Sequence, residues 1–318
     1  MRRIAMGQTM EMRVAWGDAL LELTKTHPNV MVLDADLASS TMAQTVAYNA
    51  PEFFLNLGIA EQNMMGVAAG MATVGLVPWL SSFACFLANR ALDQLRVTVA
   101  QPKLTVKLGG SYSGILTAKT GKTHIDVEDI AIMRAMPNMV VVAPADGVEC
   151  RLATLALTDM PGPAYLRLTR DATPIIFGED YQFVFGKAVT LRHGTDITIF
   201  GTGVQSVRAL EACDLLAQEG ISAHLVHIHT LKPLDVDGIV AAAKKTGRVL
   251  TTEDHNVIGG LGGAVAEVLG QHAPTPMRIH GLQDCYGESG ANDAILEKYG
   301  LTPKHVAQAA KALLSTTR

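Results

Sequence analysis

The sequence predicts an α/β protein of two three-layer domains, each a mostly parallel sheet flanked by helices. Three observations predict it. Short apolar runs alternate with helical patterns almost throughout, and strands alternating with helices call for a parallel sheet covered on both faces. The runs are continuously apolar, as strands buried on both sides should be. The chain has 318 residues, more than one core usually holds, so two domains are the default.

The first domain is read over residues 1–180. A helix over 13–26 precedes the run 30–33, which ends in Asp34-Ala35-Asp36 and so puts polar groups at a strand's carboxyl end. Further helices are expected over 61–72, 87–99, 127–136 and 147–157, and strands over 104–108, 139–142 and Ala164–Leu168. Pro28, Pro102, Pro137 and Pro161 sit just beyond several of these ends, where proline halts a helix. The apolar stretch 64–80 is rich in Gly and Ala and holds Pro78. It reads as a buried helix, a turn and a strand, since a membrane span needs roughly 20 uninterrupted apolar residues. Residues 171–185 are turn-rich and irregular and mark the boundary. The second domain, 186–318, resumes the alternation: strand 197–200, helix Gln205–Gln218, strand 222–227, helix 236–244, strand 248–252, helix 260–269, strand 277–281, and a closing helix 302–315.

Composition narrows the function classes. Aromatic residues make up only 5% and the net charge is −4, which argues against a stacking surface for single strands and against a basic face for a duplex. Cys85, Cys150, Cys213 and Cys285 are scattered with no CxxC, so each reads as a small buried apolar residue in a reducing cytoplasm. Residues before Glu11 carry no apolar core of signal-peptide length. A cytoplasmic protein with no nucleic-acid or membrane partner is expected.

The chemistry-bearing motifs lie mostly in the first domain. In Gly58-Ile59-Ala60-Glu61-Gln62-Asn63-Met64, Glu61 opens an almost wholly apolar helix. One reading is complementation of the helix dipole, worth ~0.3–1 kcal/mol. The other is a carboxyl group carried into a largely apolar site, where desolvation favours its protonated form and lets it hydrogen-bond a cofactor ring nitrogen. Phe83 and Phe86 are three apart and share a helical face, either as core or as a platform for a flat heterocycle. Gly109-Gly110-Ser111-Tyr112-Ser113-Gly114 leads to Gly121-Lys122-Thr123-His124. The first glycines suit a turn at the carboxyl end of the sheet, where α/β folds place ligands. His124 is either a loop histidine or a group that moves protons and stabilises charge on oxygen.

Gly259-Gly260-Leu261-Gly262-Gly263 lacks GxGxxG spacing and reads as a helix-start turn. His224, His227 and His229 have no interleaved carboxylate or cysteine and read as structural rather than as metal ligands. No metal site is expected on this chain.

Glu61 in "GIAEQNM" and His124 in "GKTH" resemble the transketolase family, and the resemblance runs from Arg13 to the last helix. It implies a pyrimidine-binding domain of the thiamine-diphosphate-binding fold followed by a transketolase C-terminal domain. Glu61 would contact the aminopyrimidine of thiamine diphosphate and favour its imino tautomer, which takes the proton from the thiazolium carbon. Phe86, with Phe83 beside it, would pack on the pyrimidine. Asn89 stands where some members carry a third aromatic. His124 would lie near substrate hydroxyls and the diphosphate.

Arg13, Ser40 and Arg170 match positions that bind substrate phosphate. Read alone, they are a solvated helix charge, a helix cap and a domain-boundary ion pair. Together they suit phosphate or sulfonate oxygens. Tyr112 stands where a histidine is common, and Lys119-Thr120 replaces a stretch that is often acidic, so the sugar need not be the usual pentose or hexose phosphate.

The family's Gly-Asp-Gly metal motif is absent from the sequence. The resemblance therefore implies the second subunit of a split transketolase. An N-terminal partner subunit would hold the diphosphate and Mg2+ or a similar ion, and two such pairs would form a two-fold heterotetramer. The reaction would move a two-carbon ketol unit from a ketose, phosphorylated by family habit, to an aldose. The rivals are the beta subunit of a 2-oxo-acid dehydrogenase's decarboxylating component, a piece of a deoxyxylulose-phosphate synthase, and a non-catalytic scaffold subunit.

Overall fold

The computed structural model describes residues 7–117, 119–178 and 180–316. Two sheets dominate. The larger runs in the order Thr230–Lys232, Val140–Val142, Ala164–Leu168, Lys107–Ser111, Val77–Phe83, Val30–Asp34, Phe54–Asn56. Every neighbouring pair is parallel except the first, which is antiparallel. The smaller runs Met277–Leu282, Val249–Asn256, Ile197–Gly201, Ala223–His227, Val189–Arg192, with only the last pair antiparallel. Helices such as Met12–Thr26, Glu61–Thr73, Gln205–Gln218 and Leu261–His272 bury a face on these sheets. The expected α/β class with mostly parallel sheets is what the chain adopts. No helix among the described residues is long and apolar enough to cross a membrane.

Three local expectations need correction. The strand expected over 104–108 lies at Lys107–Ser111 and so contains Gly109 and Gly110. These glycines do not make the turn. They let large rings press on the strand: a Cβ at Gly109 would strike Trp16, and one at Gly110 would strike Tyr165. The turn comes later, at Tyr112 with φ 62°. The helix expected over 87–99 is wound unevenly. Phe86–Arg90 and Leu95–Ala100 are wide π-type turns on either side of Leu92–Gln94, a departure often found beside functional sites. The irregular stretch 171–185 contains one short strand, Ala172–Pro174, paired antiparallel with Thr9–Glu11.

The domains are welded. Thr230–Lys232 leaves the second domain's chain order to form the edge of the first domain's sheet. One apolar cluster includes Val141 and Tyr165 from one domain with Phe200 and Val226 from the other. Buried charge crosses the same seam. Arg167 donates to the Asp129 carboxylate at 2.8 Å and to the Asp254 carbonyl at 2.9 Å, and Tyr165 donates to Asp129 at 2.7 Å. Burial alone would raise the Asp129 pKa, but Arg167 and His255 outweigh it and hold it low. His227 bonds Ser206 at 2.7 Å and Glu149 at 2.8 Å, fully buried. His227 is therefore interdomain architecture, while His224 bonds the Arg192 carbonyl at 3.0 Å within the second domain. The Gly-rich turn at 259–263 opens the helix Leu261–His272, whose first amides donate to the buried Glu253 carboxylate at 2.6 and 2.8 Å.

Candidate active site

Glu61 is the first residue of its helix and is fully buried. The largely apolar surroundings that the sequence suggests also hold two polar partners. Ser82, near the end of the strand Val77–Phe83, donates to Oε1 at 3.2 Å, and Arg90 donates to Oε2 at 2.6 Å. Arg90 follows Phe86 by four residues on the wide turn, and its guanidinium lies 4.2 Å from the centroid of that ring. The Gln62 amide donates to the Arg90 carbonyl at 3.1 Å and ties the two helices together. The Arg90 side chain stays 43% exposed, so the carboxylate has one partner that water and ligands can reach.

The aromatic residues gather beside this pair. Phe83 and Phe86 lie 5.8 Å apart between centroids, near-parallel at 24°. Tyr112 stacks on Phe83 at 3.9 Å, and the His124 ring stands edge-on to Phe83 and Phe86 at 5.6 and 5.5 Å. Phe83 and Tyr112 are nearly buried, while Phe86 and His124 remain partly open. His124 Nδ1 bonds Thr123 Oγ1 at 2.8 Å. The Cys85 thiol donates to the Thr123 carbonyl at 3.7 Å. Burial pushes that thiol up to about 12, so Cys85 steadies the histidine loop instead of acting as a nucleophile.

The three residues matched to an anion fall into two groups. Arg170 donates from Nε to the Tyr112 hydroxyl at 3.1 Å and from Nη1 to Asp171 at 3.1 Å. Its guanidinium lies 5.4 Å from the Tyr112 centroid. Arg170 therefore joins the aromatic group through Tyr112. Arg13 donates from Nε to Glu11 at 2.9 Å and from Nη1 to the Ser40 carbonyl at 2.7 Å, and its Nη2 lies 2.8 Å from the same Glu11 oxygen as an ion pair. Each of its nitrogens has a contact within the chain, and Ser40 enters through its backbone. Burial raises the Asp171 pKa against the pull of Arg170, and the charges of Glu11 and Arg13 also reach it, so the two groups share one field.

Sequence reasoning missed Arg90, Ser82, Glu11 and Asp171. Arg90 had a usable signal in its spacing from Phe86, which places it on the same helical face. Asp171 had one in its adjacency to Arg170. Glu11 and Ser82 had none. As a ligand site, the donor set suits a flat heteroaromatic ring with basic nitrogens: a buried carboxyl, ring faces beside it, and a histidine at the edge. The pyrimidine of thiamine diphosphate is such a ring. Among the described residues, no group of three His, Cys, Asp or Glu side chains is placed to hold a metal ion.

Comparison with known proteins gives the family. Residues 8–175 match the family model described as the transketolase pyrimidine-binding domain, and residues 186–306 match the transketolase C-terminal domain. The chain is 41% identical over 299 residues to the 6-deoxy-6-sulfo-D-fructose transketolase subunit SqwH of Clostridium sp. (strain MSTE9), covering 94% of this chain and 93% of that one. It is 36% identical over 299 residues to an apulose-4-phosphate transketolase subunit of Phocaeicola vulgatus, covering 94% and 96%. A solved structure described as a split gene transketolase, inactive beta4 tetramer, superposes with a TM-score of 0.90 at 43% identity, covering 98% of this chain and 100% of that one.

Proposed function

The chain belongs to the transketolase family, as a subunit comprising its pyrimidine-binding and C-terminal domains, and from that premise we propose how its residues serve a thiamine-diphosphate-dependent ketol transfer. The cofactor lies across an interface. Its pyrimidine rests against this chain, and its diphosphate and Mg2+ or a similar ion lie on an N-terminal-half partner subunit. Two such pairs assemble about a two-fold axis, in the cytoplasm and without nucleic acid or membrane. Bound thiamine diphosphate supplies the electron sink that lets a ketose release a two-carbon unit to an aldose.

Each side chain then has a defined task. Glu61 holds a proton at, or shares one with, a pyrimidine ring nitrogen. Ser82 and Arg90 fix the direction of its two oxygens. Phe83 and Phe86 orient the pyrimidine and keep water from its face. His124, anchored by Thr123, holds or moves a proton at a substrate oxygen through its remaining nitrogen. Tyr112 leads from the aromatic group to Arg170, which faces the anionic end of the ketose. Arg13 and Ser40 brace this end from behind.

The observation that carries the proposal is a fully buried carboxylate whose cationic partner stays 43% exposed beside stacked ring faces. Closed structural pairs do not leave such an opening. The test is to co-purify the chain with its candidate N-terminal-half subunit and assay ketol transfer from a panel of donors with thiamine diphosphate and magnesium. Turnover should require both subunits. Activity from this chain alone would overturn the shared site, and full activity of Glu61→Gln in the pair would leave only the scaffold reading.

A further inference from the structure

Between the domains lies a pocket of about 280 Å³, lined by Lys119, Arg170 and Asp171 of the first domain and Gly290, Ala291 and Asn292 of the second. It connects to the aromatic group through Arg170, whose Nε is bound to Tyr112 while Tyr112 stacks on Phe83. A ketose held at Glu61 and His124 would send its far end along Tyr112 into this pocket.

The donors on offer are few. Arg13 does not line the pocket and is already engaged by Glu11 and the Ser40 carbonyl. Arg170 has Nε on Tyr112 and Nη1 on Asp171, which leaves Nη2 without a partner among the described residues. The Lys119 side chain likewise has no hydrogen-bond or ion-pair partner among them, and the residue is exposed. The charge balance is equally spare. One lysine and one arginine stand against one aspartate in the lining, and the Arg13–Glu11 pair behind it is neutral. This chain's share of the lining therefore carries a single net positive charge.

We infer that this pocket takes the tail of the ketose donor and is matched to a single negative charge, a sulfonate or a carboxylate, in preference to a phosphate monoester. A phosphate monoester carries about −1.5 to −2 at neutral pH. Bringing it beside Asp171 would leave negative charge uncompensated in a partly desolvated cleft. A monoanion is balanced by Lys119 and the free edge of Arg170. This inference rests on the ketol-transfer reading above and replaces the phosphorylated donor that the family resemblance implies.

The test compares kcat/KM, in the reconstituted two-subunit enzyme, for ketoses of equal carbon number ending in sulfonate, carboxylate, phosphate or an uncharged hydroxymethyl group. The better monoanion should exceed the phosphate by about tenfold or more, a difference of roughly 1.4 kcal/mol. Lys119→Ala should raise KM for the monoanion with little change in kcat. Asp171→Asn, which adds one net positive charge, should shift the ratio toward phosphate. Phosphate used as well as or better than either monoanion, or the uncharged donor preferred to both, would overturn the inference. That wild-type ratio decides the matter even if a variant fails to fold. Hydroxypyruvate, a ketol donor with no sugar tail, is the separate control. If it is not turned over, the ketol-transfer reading itself has failed; if it is turned over while phosphate wins, only the tail assignment has failed.

Discussion

Two buried carboxylates in this molecule are each paired with an arginine, and they do opposite jobs. Asp129 and Arg167 lie at the domain seam with side-chain exposures of 0% and 4%. Tyr165 and the Asp254 carbonyl use further hydrogen-bonding positions of this pair. Glu61 is just as buried, but its Arg90 is 43% exposed. A buried pair sealed from water costs several kcal/mol to break, because one charge is stranded. A pair with one hydrated member can exchange partners. Enclosure of the arginine, and not burial of the acid, separates architecture from a site.

Four experiments probe that contrast. The largest effect is expected for Glu61→Gln in the reconstituted enzyme. Turnover should fall about 10²–10⁴-fold while the melting temperature barely moves, since Arg90 can hydrate. A large loss of stability would place this pair with the closed one. Next is Asp129→Ala, which strands Arg167 and should cost about 3–5 kcal/mol in urea unfolding; a loss below about 1 kcal/mol would refute the distinction.

Third is the neighbouring Asp126, whose pKa is pushed up to about 7, first by burial and then by the Asp129 charge. The folded state keeps this proton where the unfolded chain has released it. Its contribution is therefore present at low pH and fades as pH rises from the ordinary aspartate value to about 7. Asp126→Asn should match the wild type near pH 4 and exceed it by on the order of 2–4 kcal/mol at pH 8. Identical pH profiles would contradict this. Smallest is Arg90→Lys, which keeps a cation beside the buried Glu61 carboxylate and loses only the guanidinium fork. Stability should change by under about 1 kcal/mol, and the change should appear instead as a several-fold weaker apparent affinity for thiamine diphosphate. An effect on stability alone would make Arg90 merely structural.

The sequence was most legible where pattern and chemistry coincide. Continuous apolar runs located most of the parallel strands, and the GIAEQNM and GKTH motifs singled out side chains that the fold brings to one place. It was least legible where the outcome depends on what meets a residue from elsewhere. Gly109 and Gly110 look like a turn until Trp16 and Tyr165 are seen against them. Arg13 looks like an open anion fork until Glu11 and Ser40 are seen to occupy it. The uneven winding over 86–100 leaves no mark in apolar periodicity. Residue types are written in a sequence, but prior commitments of their donors are not.

The strand Thr230–Lys232 makes the two domains one inheritance. A chain cut near residue 185 would strip the cover from Val140–Val142, leaving bare amides on a sheet margin that invites pairing with other chains. Swapping either half between relatives would break the same seam. For anyone engineering this protein, the exchangeable module is the whole subunit.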